Sequence, residues 1–141
     1  MAVRPSAYVL DSFALLAYLE GEAGMPRIRT LLRGAEDGEH TLYASLINLG
    51  EVLYITEREN GLIQAQLALA ALDQLPVQFV PVSRATVLAA AHMKALYAVA
   101  YADAFAIVTA QDYSGVLVTG DPEFQAVADA GGIAVEWLPR R

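Results

Sequence analysis

Four acidic side chains of this 141-residue chain stand where a carboxylate is unusual. Asp103 lies inside the apolar run AYADAFAIV, where its helical neighbours at three and four residues are all apolar. An ionised carboxylate in such a setting costs so much free energy that it takes a proton, a cationic partner or a metal ion. The sequence has no Lys or Arg between Lys94 and Arg140, so Asp103 has no cation close by in sequence.

The other three acids lie near the ends of apolar segments or on an apolar helix. Asp11 directly follows YVL, and Asp121 follows VLVTG, so each lies beyond a predicted strand. Both positions also suit the N-cap of a helix, and position alone does not decide between a cap and a site residue. Glu51 lies in ASLINLGEVLYI and is expected to point inward or into a cleft, the alternative being a partly exposed helical Glu.

A cleft that gathers these four carboxylates needs positive charge, because the carboxylates repel one another. Hard divalent cations such as Mg²⁺ or Mn²⁺ prefer oxygen ligands of this kind. Such a site suits phosphodiester hydrolysis, in which water is the nucleophile. The absence of cysteine excludes thiolate metal sites, disulfides and a cysteine nucleophile.

Short apolar segments that alternate with longer helical patterns supply the predicted framework. Strands are predicted at 8–10, 42–44, 78–80, 116–118 and 133–135. Helices are predicted at 12–20, 25–36, 46–59, 61–74, 84–97, 101–112 and 122–130, with Ser45 and Ser83 as N-caps and Pro122 at a first helical position. This alternation predicts an α/β fold, a three-layer α/β/α sandwich with a central, mainly parallel sheet in one domain over 1–141. Functional groups are expected beyond the carboxyl ends of the strands.

Charge and hydropathy limit the partners. The formal net charge of −7 argues against a broad basic surface for nucleic acid, so a polyanion would need a local basic patch or bound cations. Arg27, Arg29 and Arg33 could form such a strip, or an ordinary solvated helix face. Charged residues interrupt every long apolar stretch within ~18 residues, and no leader pattern begins the chain, so we expect a cytoplasmic protein without membrane contact.

Four segments together resemble a known family. VLDSFALLAYL, SLINLGEVLY, YADAFAIVTA and VTGDPEF, in this order and spacing, are similar to the motifs of PIN-domain nucleases, and among these to VapC-like toxins of toxin–antitoxin pairs. The resemblance implies an α/β/α sandwich that binds Mg²⁺ or Mn²⁺ and cleaves RNA. It implies catalytic and metal-binding roles for Asp11, Glu51, Asp103 and Asp121, and supporting roles for the hydroxyls of Ser12 and Thr119.

The resemblance also implies partners. These are an RNA substrate, a cognate antitoxin protein, and a homodimer or higher complex with that antitoxin. Apolar residues of the first helix, Leu15, Leu16, Tyr18 and Leu19, could support such contacts or belong to the core. Two positions depart from the family pattern: Phe13 stands where a small polar residue is common, and Gly120 where a basic residue is often found.

Other function classes fit less well. An aspartyl phosphatase would need a second aspartate two residues after Asp11, where this chain has Phe13. A phosphoacceptor signalling domain would need an early acid pair and a late lysine, and a P-loop enzyme would need a GxxxxGK segment, none of which is present. The remaining alternative is a catalytically inactive PIN-like protein-interaction module, whose acids would serve only as caps and ion-pair partners.

Overall fold

The computed structural model describes residues 4–140 and contains a five-stranded sheet with helices on both faces. The strands are β1 (Ala7–Leu10), β2 (Thr41–Ser45), β3 (Val77–Val80), β4 (Val116–Thr119) and β5 (Ala134–Trp137). The helices are α1 (Ser12–Glu20), α2 (Met25–Glu36), α3 (Leu46–Asn60), α4 (Leu62–Asp73), α5 (Arg84–Leu96), α6 (Tyr101–Asp112) and α7 (Gln125–Asp129). A single 3-10 turn, Pro122–Phe124, precedes α7.

The sheet has the order β3-β2-β1-β4-β5, and every neighbouring pair is parallel. This confirms the three-layer α/β/α sandwich. The central strand β1 is buried along its whole length, as expected for a parallel strand covered on both faces. Because β1 and β4 are neighbours, with Leu10 paired to Val118, the segments that follow these two strands meet at one edge.

Alternating strand residues separate two cores. Leu10 and Val118 pack on the face covered by α1, α2 and α3, while Val9 and Leu117 pack on the opposite face against α6. Helix α6 is buried continuously from Asp103 to Ala110, so it lies in the core rather than on the surface. Across residues 4–140 no single helix is long and apolar enough to cross a bilayer; α5 and α6, bent by 114°, meet that test only as a pair.

The predicted N-caps Ser45 and Ser83 are confirmed. The hydroxyl of Ser45 accepts a hydrogen bond from the backbone N–H of Ile47, and Ser83 forms a reciprocal capping box with Thr86. Pro122 is the first residue of the 3-10 turn.

Two predicted elements near the carboxyl end differ in extent. The helix predicted at 122–130 divides into the 3-10 turn and the short α7, which ends before Gly131 with φ of 77°. The last strand runs from Ala134 to Trp137 rather than over 133–135, because its ladder with β4 continues to the pair of Thr119 and Trp137.

Candidate metal centre and active site

The acids that follow β1 and β4 lie at the carboxyl edge of the sheet. Asp11 is the first residue after β1, and Asp121 is the second residue after β4. Glu51 lies on α3, and Asp103 lies in the first turn of α6. Acids that are far apart in sequence therefore belong to four elements that approach this edge.

A cavity of about 320 Å³ opens among these elements. All four acids predicted from the sequence line it, together with one that was not predicted, Glu123. Glu123 belongs to the same VTGDPEF segment as Asp121 and follows it by two residues, so this spacing was the available signal. The remaining lining residues are Ser12, Phe13, Leu16, Ile55 and Ala100.

Asp11 is almost completely buried and is held at both carboxylate oxygens. Its Oδ1 accepts a hydrogen bond from the backbone N–H of Ala14 at 2.9 Å, so Asp11 is also the N-cap of α1. Its Oδ2 accepts a hydrogen bond from the hydroxyl of Thr119. The same hydroxyl accepts a hydrogen bond from the backbone N–H of Asp121 at 3.0 Å. Thr119 therefore connects the two strand-end acids.

Asp103, Asp121 and Glu123 form the closest acid group. One carboxylate oxygen from each lies within 4.8 Å of the other two. Asp121 Oδ1 accepts a hydrogen bond from the backbone N–H of Glu123, and Glu123 Oε2 accepts one from the backbone N–H of Ala100. Among the described residues, Asp11 and Glu51 line the same cavity but lie outside this closest trio.

Burial holds the pKa values of two carboxyl groups of the site, Asp11 and Asp103, well above their ordinary range. Burial raises the pKa of Asp11 to about 7, and the charges of Asp121 and Glu51 add to this effect, although the hydrogen bonds from Thr119 and Ala14 oppose it. Burial, followed by a hydrogen bond to Glu123 and the nearby acids, raises the pKa of Asp103 to about 9. That hydrogen bond lowers the pKa of Glu123. Asp103 therefore holds a proton that it shares with Glu123 when no cation is bound.

The sequence matches the family model described as PIN domain over residues 8–130. That range includes all five acids of the cavity. The chain belongs to the PIN domain family. No curated protein sequence gives a match.

Solved structures with the same PIN fold include toxin–antitoxin proteins. VapBC2 from Rickettsia felis, bound to a DNA fragment from its promoter, matches with a TM-score of 0.73 and 16% identity, over 94% of this chain and 99% of that chain. VapC20 from Mycobacterium tuberculosis, a toxin that cleaves the sarcin–ricin loop, matches with a TM-score of 0.71 and 19% identity over the same shares. FitAcB from Neisseria gonorrhoeae has a TM-score of 0.63 and 20% identity, over 91% and 95%. At these identities the similarity shows the fold.

The two departures from the PIN pattern are one structural feature. The ring of Phe13 lies over Gly120 so closely that a Cβ at position 120 would come within 2.4 Å of two ring carbons. Any side chain at 120 would therefore displace the ring. Phe13 also lines the acid cavity, where Leu16 and Ile55 are further apolar lining residues.

A buried amide that was not predicted supports the acid-bearing segments of this PIN domain. The side-chain nitrogen of Asn48 donates hydrogen bonds to the hydroxyl of Ser12 at 3.2 Å and to the carbonyl of Ala102 at 3.1 Å. The Ser12 hydroxyl in turn donates a hydrogen bond to the backbone carbonyl of Asn48 at 3.4 Å. Ser12 thus contacts α3 while it also lines the cavity.

The arginines for which the sequence left open a basic strip or a solvated helix face do not line the acid cavity. Arg27 makes two hydrogen bonds to the carboxylate of Glu136, and it lines a separate cavity of about 350 Å³ with Tyr8 and His40. Arg29 and Arg33 are exposed on α2, which fits the alternative of a solvated helix face. Among residues 4–140, no Lys or Arg lines the acid cavity.

The charge of Lys94 acts on one acid of the site, Glu123. Its ammonium donates a hydrogen bond to the carbonyl of Val99 at 2.8 Å, and the next amide along the chain, Ala100, donates to Glu123. Lys94 and Glu123 therefore bind opposite sides of one peptide group. The charge of Lys94 contributes to the lowered pKa of Glu123, but the ammonium does not neutralise the buried acids.

The donor set fits a hard divalent cation. All ligand atoms available from the five acids are carboxylate oxygens, which suit Mg²⁺ or Mn²⁺. One oxygen each from Asp103, Asp121 and Glu123 lies within 4.8 Å of the other two, so these three groups would hold one such cation. Within residues 4–140 no Lys or Arg lines the cavity, so a bound cation would relieve the electrostatic cost of ionising the buried Asp11 and Asp103.

Proposed function

We propose that this PIN domain is a divalent-metal-dependent endoribonuclease that hydrolyses RNA phosphodiester bonds and acts as the toxin of a toxin–antitoxin pair. The observation that carries the proposal is the convergence of five carboxylates on one open cavity without a lining Lys or Arg among the described residues. Structural ion-pair networks also perturb acids, but they bring cations with them.

Metal-binding roles follow from position. Asp103, Asp121 and Glu123 would supply the oxygens that bind the cation directly. Asp11 and Glu51 would add two further carboxylates to the same cavity. When bound, Mg²⁺ or Mn²⁺ supplies an activated water and offsets the charge of the phosphate. Two such ions would bring the formal charge from −7 to −3, which reduces the repulsion of an RNA substrate.

The neighbouring side chains orient these acids. The Thr119 hydroxyl fixes one oxygen of Asp11, and the N–H of Ala14 fixes the other. Because both bonds favour the charged carboxylate, they prepare Asp11 to hold a cation once the proton leaves. Ser12 and Thr119 thus support the site through contacts with protein groups.

The toxin assignment rests on the toxin–antitoxin proteins among the structurally similar proteins. VapC20 is a toxin that cleaves the sarcin–ricin loop, and the Rickettsia felis neighbour is a VapBC complex bound to promoter DNA. We therefore propose an antitoxin protein as partner, with a homodimer or a higher complex as the assembled form. Leu15 is fully buried and is not available for this contact, whereas Leu62, Ile63 and Leu67 on α4 are exposed.

Cleavage of RNA by purified protein tests the activity. Total bacterial RNA and mixed-sequence oligoribonucleotides are incubated with Mg²⁺ or Mn²⁺, and with EDTA instead. We expect cleavage only with metal, and a loss of more than about 100-fold in Asp103→Asn, since even outer-shell changes at metal sites cost 10- to 100-fold. The matched control is Glu57→Gln, which removes an exposed carboxylate from α3 and should keep full activity.

Two results would contradict the proposal. Cleavage that persists in EDTA, or that Asp103→Asn retains, would remove the metal mechanism. A protein that folds but shows neither metal response nor cleavage would instead fit the catalytically inactive interaction module. Growth arrest on expression of the wild type, absent for Asp103→Asn and relieved by co-expressed antitoxin, tests the toxin role separately.

A further inference from the structure

Asn48 connects three of the acid-bearing elements through one side chain. Its side chain is completely buried within α3. The two hydrogens of its amide are both used, one by the Ser12 hydroxyl and one by the Ala102 carbonyl. These acceptors belong to α1 and to α6, so one side chain joins three helices.

The contacts of Asn48 lie one residue from two of the acids. Ser12 directly follows Asp11, and Ala102 directly precedes Asp103. Asn48 itself is three residues before Glu51, which places both on neighbouring positions of one helix face. The side-chain amide of Asn48 thus links the three segments that carry Asp11, Glu51 and Asp103.

The energetic balance of Asn48 also points to a role beyond stability. Its Oδ1 is buried and has no hydrogen-bond partner among the described residues. A buried polar atom without a partner is costly, and an apolar side chain of the same shape would avoid that cost. The two donated bonds are what an apolar residue could not supply.

Those bonds oppose a specific force. Asp11, Glu51 and Asp103 line one cavity, and no Lys or Arg lines it in the part of the chain that the structure describes. Once these acids lose their protons they repel one another, and without restraint the first turns of α1 and α6 would move apart until the repulsion eased. Hydrogen bonds at Ser12 and Ala102 resist this movement at the two points nearest the acids.

We propose that Asn48 is a positioning residue that fixes the separation of Asp11 and Asp103 and so prepares the acid cavity for a divalent cation. The inference deepens the proposed function and rests on it for the cation. The restraint itself does not depend on metal, because both hydrogen bonds join protein groups to each other.

The test compares Asn48→Leu with a matched control. Leu has the same branching and the same number of side-chain heavy atoms as Asn, but it donates no hydrogen bond. Asn48→Ala is the second variant, in case the Leu methyl groups are not accommodated. The control, Thr109→Val, removes a buried hydrogen bond from Thr109 to the Phe105 carbonyl within α6, away from the cavity.

Hydrogen exchange in EDTA measures the restraint without metal. In the Asn48 variants we expect the amides of Ala14 and Ala104, in the first turns of α1 and α6, to exchange roughly tenfold faster than in the wild type. The control should leave Ala14 unchanged. Unchanged exchange at both amides in the Asn48 variants would overturn the positioning role, whatever the metal result.

Mn²⁺ binding, followed by electron paramagnetic resonance of the free ion, measures the consequence. We expect the Asn48 variants to bind Mn²⁺ about 10- to 100-fold more weakly, with a melting temperature in EDTA close to that of the control. Equal Mn²⁺ affinity in the wild type and a folded Asn48 variant would overturn the proposal. If the wild type itself binds no Mn²⁺, the proposed metal chemistry fails, and the preparation of the cavity for a cation fails with it, whereas faster exchange would still show the restraint.

Discussion

Replacing Asp103 by Asn should stabilise the metal-free protein at neutral pH. Asp103 is only 6% exposed, and its pKa rises from 3.8 to about 9 in the folded chain. Between these values the native state holds a proton that the unfolded chain releases, so stability falls as the pH rises from about 4 towards about 9. At pH 7 this costs about 4 kcal/mol, at 1.36 kcal/mol for each pH unit above the unfolded-state pKa.

Asn imitates the protonated Asp103, because its amide can donate a hydrogen bond to Glu123 without any proton uptake. The variant should therefore recover most of this free energy at pH 7, which corresponds to a rise of roughly 10 °C in melting temperature. At pH 4 the two proteins should melt together. Calorimetry or circular dichroism in EDTA across this pH range measures the difference.

A matched control and a metal titration complete this test. Asp73→Asn changes an exposed aspartate and should alter stability by less than about 0.5 kcal/mol. Added Mn²⁺ should stabilise the wild type, by about 2.7 kcal/mol at 100 times the dissociation constant, and should leave Asp103→Asn nearly unchanged. Equal melting temperatures of wild type and variant at pH 7, or a gain that persists undiminished at pH 4, would refute the assignment of a protonated, buried Asp103.

Two further predictions concern packing and charge near the site. Gly120→Ala should destabilise the fold by about 1–3 kcal/mol, because its Cβ would meet the Phe13 ring. In a Phe13→Leu background the same change should cost clearly less. A thermal double-mutant cycle measures both costs, and simple additivity of the two changes would contradict this packing. Arg27→Ala should lower the stability of the fold by about 1 kcal/mol or less, since the ion pair with Glu136 is partly exposed. The variant should keep its RNA cleavage. A large loss of cleavage with an unchanged melting temperature would show that Arg27 contacts the substrate.

Local patterns in the sequence were sufficient for most of the framework. Helices α1, α2 and α6 begin and end at the predicted residues, because their apolar spacing is determined by neighbours in sequence. The parallel sheet followed from the alternation of strands and helices. The boundaries near the carboxyl end were wrong, because Gly131 and the ladder between β4 and β5 depend on the folded pairing.

Tertiary contacts explain what the sequence could not supply. Glu123 resembles any exposed acid after a proline until the fold places it beside Asp103. Asn48 has the spacing of an ordinary core position on α3, and only its bonds to Ser12 and Ala102 distinguish it. The sequence left the role of Arg27 open for the same reason, since its side chain pairs with Glu136, more than a hundred residues later in the chain.

The two interpretations of the strand-end aspartates, helix cap and metal ligand, do not exclude one another. In a parallel α/β sheet, each strand ends at the edge where the next helix begins, so an acid at this junction meets both backbone N–H groups and the site. Asp121 shows how one carboxylate can serve both: Oδ1 accepts the N–H of Glu123, while an oxygen of the same group lies within 4.8 Å of oxygens from Asp103 and Glu123. A cap bond favours the charged carboxylate, as a cation does. Capping therefore lowers the cost of keeping these acids ionised for metal, and finding an acid at a cap position in such a fold is no argument against its participation in the site.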